Sequence, residues 1–210
     1  MKHIRVLVAC ECSGRVKTAF RERGFDAWSC DLKPSEIPDD KYHIQGDVLP
    51  LLTPDWDLLI AHPPCTYLCI RSQYWKQVGN HSQVDEDNAL KFFIALDSAP
   101  IIRKAIENPI GIIPKKYRNY TQIIEPFMFG DPIRKKTCLW LTNLPLINPT
   151  MALWELEKYH HISKSGVKRY WYDSTTSSKT KNRAHKRATT SIAIANAMAT
   201  QWGDCLESRS

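Results

Sequence analysis

Two short segments carry residue types that could do chemistry together: His62-Pro63-Pro64-Cys65 and Glu107-Asn108-Pro109. A thiolate can add to an electron-poor aromatic carbon, and a carboxyl group can assist by protonating a ring nitrogen. A pyrimidine needs both parts before its carbon 5 can take a methyl group: a thiol adding at carbon 6 and an acid at ring nitrogen 3. Paired prolines fix the backbone and remove its donors, which suits a thiol held outward from a sheet. Alone, Pro-Pro-Cys fits a buried structural cysteine equally well, and it is the carboxyl group expected on the same rim that favours a reactive one.

The elements that must position these groups can be read from apolar periodicity. Ile4 to Ala9 reads as a strand, Glu11-Cys12-Ser13-Gly14 as a polar turn, and Val16 to Arg23 as a helix closed by Gly24. Phe25 to Cys30 is a second strand ending in Asp31, and a third around His43-Ile44 ends at Gly46-Asp47-Val48. Trp56 to Ala61 is nearly all apolar, as in a strand covered on both faces, and it breaks at the Pro-Pro-Cys loop. A helix is predicted over Val84 to Ser98, with acids in its first turn and Leu90, Phe93 and Leu96 facing the core. Ile101 to Ile106 is a strand running into Glu107-Asn108-Pro109; Tyr117 to Ile124 is helix-prone, and Phe127 to Phe129 and Thr137 to Thr142 are further strand candidates. Thr190 to Trp202 has helical spacing of apolar residues and should pack back on the sheet.

Alternating strands and helices predict an α/β fold: a Rossmann-like, open, mostly parallel, doubly wound sheet, with ligands at the carboxyl ends of its strands. We expect a catalytic and cofactor-binding domain over 1–149, a short basic segment over 150–188, and a returning helix over 189–203. The whole chain of 210 residues suits one domain with a small appendage, and 43% hydrophobic with 24% charged residues is a globular composition. Lys and Arg exceed Asp and Glu by 29 to 22, for a net charge of +7, which favours a polyanionic partner. The excess concentrates between Lys158 and Arg187, where Asp173 is the single acid; this is either a solvated loop or a phosphate-contacting surface. Tyr170, Trp171 and Tyr172 within it fit base stacking or a small satellite core.

Seven cysteines, no charged-then-apolar leader at Met1 and no run of about eighteen apolar residues predict a cytoplasmic protein with reduced thiols. Cys10, Cys12, Cys65 and Cys69 lack the spacing of a zinc site, so no metal is expected.

Taken together, the motifs resemble the DNA cytosine-5 methyltransferase family, in particular compact phage-type members without a large recognition domain. His62-Pro63-Pro64-Cys65 resembles that family's nucleophile loop, and Glu107-Asn108-Pro109 its Glu-Asn-Val motif. Asp131-Pro132-Ile133-Arg134-Lys135-Lys136 is similar to its Gln-x-Arg-x-Arg strand, with Arg134 and Lys136 at the basic positions; Ile194-Ala195-Asn196-Ala197-Met198 is similar to its closing Gly-Asn-Ala-Val helix. The first turn keeps only Gly14 of a Phe-x-Gly-x-Gly pattern, while Asp31 falls where the family holds ribose hydroxyls and Asp47-Val48 where it meets adenine.

The resemblance implies an enzyme using S-adenosyl-L-methionine on DNA. Cys65, Glu107 and Arg134 would be catalytic. Cys12, Ser13, Gly14, Asp31, Asp47, Val48, Pro63 and Asn196 would bind the cofactor, and Asn108, Lys136, Lys168 and Arg169 the substrate. The target cytosine would have to leave the stack, because carbon 6 is unreachable inside a duplex. Three other readings stand beside this one: a DNA amino-methyltransferase, whose loop differs from His62-Pro63-Pro64-Cys65 at two positions; an RNA cytosine methyltransferase, which would need a thiol where residues 105 to 110 have none; and a nucleic-acid-binding protein that keeps the fold without turnover.

Overall fold

The computed structural model describes residues 4–131, 133–151, 160–170 and 189–208, with the backbone alone at 160, 161 and 168–170. Its strands are β1 (Arg5–Ala9), β2 (Asp26–Asp31), β3 (His43–Gln45), β4 (Leu58–Ala61), β5 (Arg103–Pro109), β6 (Gln122–Ile124), β7 (Thr137–Thr142), β8 (His160–Ile162) and β9 (Lys168–Tyr170). Its helices are α1 (Arg15–Glu22), α2 (Ile70–Gln77), α3 (Gln83–Asp97), α4 (Ile113–Lys116) and α5 (Ile192–Glu207).

Strands β1 to β7 form one sheet in the order β3-β2-β1-β4-β5-β7-β6. The pairs β1·β2, β1·β4, β2·β3 and β4·β5 are parallel, and β7 runs against both β5 and β6. This is the mostly parallel Rossmann-like sheet the sequence predicts, and its order reverses between β1 and β4. At such a switch point the connections leave in opposite directions and open a crevice at the strands' carboxyl ends. The loops after β1 and β4 flank that crevice. Because β7 is reversed, its entry segment, 133–136, reaches the same rim where β5 ends, with Pro109 opposite Thr137.

Period-two alternation sends successive side chains of β1 to opposite faces. Val6 and Val8 join Leu58, Ile60 and Leu139 under α1 and α5, where Phe20, Met198 and Trp202 are buried. Leu7 and Ala9 join Leu59, Ala61 and Ile106 under α3 and α4, against Phe93, Leu96 and Ile113. Each fully buried Leu or Phe contributes roughly 1.5–3 kcal/mol, so both layers anchor the rim. The helix α3 starts on a capping box between Ser82 and Asp85, one residue before the expected start. The helix α5 is capped by Ser191, whose hydroxyl accepts from the Ile194 amide, and runs five residues past the expected end at Trp202.

Two expectations are overturned. Tyr117 to Ile124 is not a helix: α4 occupies Ile113–Lys116 and β6 occupies Gln122–Ile124. The Tyr117 hydroxyl and Arg118 guanidinium bond to Asp97 at 2.8 and 2.6 Å, which pulls this segment off any helical path, and β6 supplies the partner β7 needs. Phe127 to Phe129 is not a strand but part of a 3-10 turn, opened by Pro126 and closed by Gly130 in a left-handed conformation. The helix α2 was not foreseen, since Ile70, Tyr74 and Val78 stay exposed and leave no apolar stripe. Within 150–188, β8 and β9 pair as an antiparallel ribbon. Lys158, Tyr159, Trp171, Tyr172, Asp173, Lys179, Lys181, Arg183, Lys186 and Arg187 lie outside the described residues.

Candidate active site

The loop after β4 is held at three points. The His62 amide donates to the Ala9 carbonyl at 3.0 Å, tying the ends of β4 and β1 together. The side-chain amide of Asn108 donates to the Pro63 carbonyl at 2.9 Å, and Asn108 is almost wholly buried. Farther on, Ile70 and Ile112 exchange backbone bonds with Ile110 and Leu68 at 3.2 and 2.9 Å. That crossing needs a residue without a side chain at 111: a Cβ there would lie 1.8 Å from the Leu68 carbonyl oxygen. The loops bearing Cys65 and following Glu107 therefore clasp one another.

Cys65 is half-buried, outside the packed layers, and its carbonyl closes a turn by accepting from the Leu68 and Cys69 amides, both at 3.1 Å. Its thiol is hydrogen-bonded to Cys69, which raises the Cys65 pKa; burial and the nearby Glu107 charge push the same way, and Lys135 opposes them. Cys69 shifts in the other direction. Its contact with Cys65 is the largest cause, and the amides of Ser72 and Arg71 at the start of α2 add to it against the effect of burial.

Glu107 lies near the end of β5, its side chain 11% exposed, with Oε2 3.1 Å from Nδ1 of His62. A carboxylate can only accept, so this Nδ1 donates. Burial works to raise the Glu107 pKa, yet the His62 hydrogen bond, the Lys135 charge and a bond from Thr137 outweigh it and hold the group below the ordinary carboxyl range. Nε2 of His62 and Oδ1 of Asn108 are buried with no hydrogen-bond partner among the described residues. Two buried polar atoms left open beside a thiol mark a place where a ligand could complete the bonding.

Lys135 is the cation whose charge acts on both Cys65 and Glu107. Arg134 is exposed, its guanidinium 5.7 Å from the Phe127 ring centroid, and Lys136 is exposed too. Alternation along the extended chain entering β7 explains the selection: residues 135 and 137 face one side and both reach Glu107, while 134 and 136 face the other. The signal was present in the sequence, but the family spacing drew attention to the wrong parity.

On the other side of the crevice, the turn after β1 compensates for its missing glycines. Glu11 is buried, and its carboxylate accepts from the Val16 amide at 2.7 Å, the Lys17 amide at 3.2 Å and the Ser13 hydroxyl at 3.4 Å. It fills the start of α1, where a dinucleotide would put its phosphates. Gly14 has φ of 68°, and a Cβ would meet Ile37 at 2.5 Å, so glycine is required there. Lys17 and Asp40, both buried, form an ion pair beneath this turn. Cys10 has its pKa pushed up to about 12 by burial and then by Asp31, Cys30 and Asp47, so those acids converge on the turn. Cys12 is likewise raised by burial and Asp31. Asp31 is half-buried, Asp47 exposed and Val48 buried. A cleft rimmed by acids, with no vacancy for phosphate at α1, fits a nucleoside carrying a sulfonium charge.

The residues before α5 reach toward the site: the Thr190 hydroxyl is 3.5 Å from Nδ1 of His62, and the Ser191 hydroxyl bonds to Asp131. Asn196 lies farther along α5 and is exposed. Lys168 and Arg169 lie on β9, opposite Ile162 and His161. The structure thus brings Cys65, Glu107 and Pro63 together on one side and Cys12, Ser13, Gly14 and Asp31 on the other. It adds His62, Cys69, Lys135 and Glu11, which sequence reasoning did not single out.

No protein-family model matches the chain, and no curated protein matches it. Two solved structures resemble it. One is described as a DNA modification methyltransferase encoded within a prophage of E. coli, with 16% identity and a TM-score of 0.48 over 70% of this chain and 51% of that one. The other is a mutant of Spodoptera frugiperda DNMT2, with 17% identity and a TM-score of 0.41 over 70% of this chain and 54% of that one. The chain spans about half the length of each. At that distance neither carries chemistry over to this protein, which has to be read from its own residues.

Proposed function

We propose that this protein methylates carbon 5 of cytosine in DNA through a covalent adduct between Cys65 and carbon 6. The observation that carries the reading is a half-buried thiol and a nearby carboxylate on neighbouring strands, at the crevice where the strand order reverses. An amino-methyltransferase has no use for a thiol beside a carboxylate.

In this reading the extruded base is held by Glu107, which accepts from the exocyclic amine. As the Cys65 sulfur bonds to carbon 6, ring nitrogen 3 becomes more basic and takes up the proton that His62 and Glu107 share. Lys135, with Arg134 behind it, stabilises negative charge on the thiolate and on the base carbonyl. Asn108 serves through the loop it pins, keeping Cys65 at a fixed approach. Cys12, Ser13, Gly14, Asp31, Asp47, Val48 and Pro63 would hold S-adenosyl-L-methionine, with Asn196 closing from α5. The cofactor supplies an electrophilic methyl group on a cationic sulfur. Lys136, Lys168 and Arg169, with the rest of the basic segment over 150–188, would contact the phosphate backbone.

The test is transfer of a labelled methyl group from the cofactor to cytosine-containing DNA. Label should appear at carbon 5, and Cys65→Ser should reduce it to background while still binding the cofactor. Undiminished transfer by that variant would refute the covalent route, and cofactor-independent DNA binding without transfer would favour a binding protein on this fold.

A further inference from the structure

Cys69 plays no part in the reaction as described above, yet its sulfur is in contact with the sulfur of Cys65. The contact is built in. The Cys69 amide donates to the Cys65 carbonyl at 3.1 Å, so a single turn brings the two side chains together. Residue 69 then caps α2, and it bridges Gly111 in the loop after Glu107, which fixes the turn against β5. Both cysteines are free and half-buried, neither lost in the core nor stranded at the surface.

Resting on the reading of Cys65 as the nucleophile, we propose that Cys69 receives the Cys65 proton, so that the two thiols act as a pair holding one proton between them. The surroundings of the two sulfurs divide the roles. Cys65 faces the Glu107 carboxylate from β5, with Lys135 on the approach to β7 as the opposing charge. Cys69 faces the amides that open α2, which favour a thiolate. At rest the Cys65 S–H donates to the Cys69 thiolate.

When Cys65 attacks, its S–H bond breaks as the S–C bond to carbon 6 forms, and the proton passes to Cys69. The electron pair of the carbon 5–carbon 6 double bond is consumed in the new bond to the methyl group. Loss of the carbon 5 proton to solvent restores the double bond and expels Cys65 as a thiolate, which takes its proton back from Cys69. One proton is released per methyl group transferred.

A thiol pair of this kind has a signature that needs neither DNA nor cofactor. Between about pH 6 and pH 8 an ordinary thiol gains thiolate roughly tenfold per pH unit, whereas a pair holding one proton throughout keeps a constant thiolate fraction. Initial rates of iodoacetamide alkylation, resolved by peptide mass spectrometry on the full chain, should therefore be flat at Cys65 across that window. In Cys69→Ser, which retains a side chain able to cap α2, the Cys65 rate should climb roughly 100-fold over the same two units. A Cys65 rate that climbs as steeply in the unmodified protein overturns the pair, whether or not the variant folds. The two proposals fail separately: a flat profile without methylation of DNA upholds the pair and sinks the reaction, and methylation with a steep profile does the reverse.

Discussion

On the β1 side of the crevice, the Glu11 carboxylate is saturated by two amides and a hydroxyl, and the acids Asp31 and Asp47 receive backbone bonds from Lys33 and Leu49 at 2.9 and 3.0 Å. On the β4 side, the loop is clasped just as firmly, through Asn108 and Gly111, but the groups it presents are unfinished. His62 Nε2 and Asn108 Oδ1 lack partners among the described residues, and Cys65 and Glu107 are pushed in opposite directions by their neighbours. Bonds completed within the protein build a cradle, while bonds left open invite a substrate to complete them. The contrast assigns binding to the first side and chemistry to the second.

The sharpest way to break that contrast is Gly111→Ala. Its Cβ would stand 1.8 Å from the Leu68 carbonyl oxygen, so the clasp must open and Cys65 must move relative to Glu107. Methyl transfer should fall by about 100-fold, the usual order for a misplacement near 1 Å, while cofactor affinity by calorimetry stays nearly unchanged. Equal loss of both would mean that the two sides are not separable.

Glu11→Ala probes the opposite side. Removing a helix-capping side chain costs about 0.5–2 kcal/mol, here read from the urea midpoint, and cofactor affinity should weaken with it. The alkylation profile of Cys65 should not change; if it does, the first side is shaping the thiol after all.

The smallest effect concerns pH. The folded Glu107 has its pKa depressed below the unfolded value of about 4.3, so its contribution to stability is present above that value and is lost as pH falls through the folded pKa. Glu107→Gln should therefore be less stable than the unaltered protein at neutral pH, with the gap closing as unfolding is followed down to about pH 3. A gap that widens toward acid would show that burial dominates at this site.

How far the sequence could be read depended on whether a feature was local. Strands β1, β2, β4 and β5, the helices α3 and α5, and the two rim segments all announce themselves through alternation, capping residues or a proline pair. Strand β6 does not, because it exists to pair with β7 and its residues are held by Asp97 and Thr121 contacts from elsewhere. The cation acting on the thiol was mis-chosen for a related reason: Arg134, Lys135 and Lys136 differ only in parity, and parity is set by how β7 enters the sheet. His62 stood in the motif from the start, but its bond to Glu107 spans 45 residues of sequence and requires β4 and β5 to be neighbours.

The central claim is that Cys65 bonds to carbon 6 of cytosine, and the most direct measurement is trapping with DNA containing 5-fluorocytosine in the presence of cofactor. Fluorine at carbon 5 cannot leave as a proton does, so the adduct should persist through denaturation and map by mass spectrometry to the peptide bearing Cys65, with none formed by Cys65→Ser. No adduct, or one of equal yield in that variant, would contradict the account.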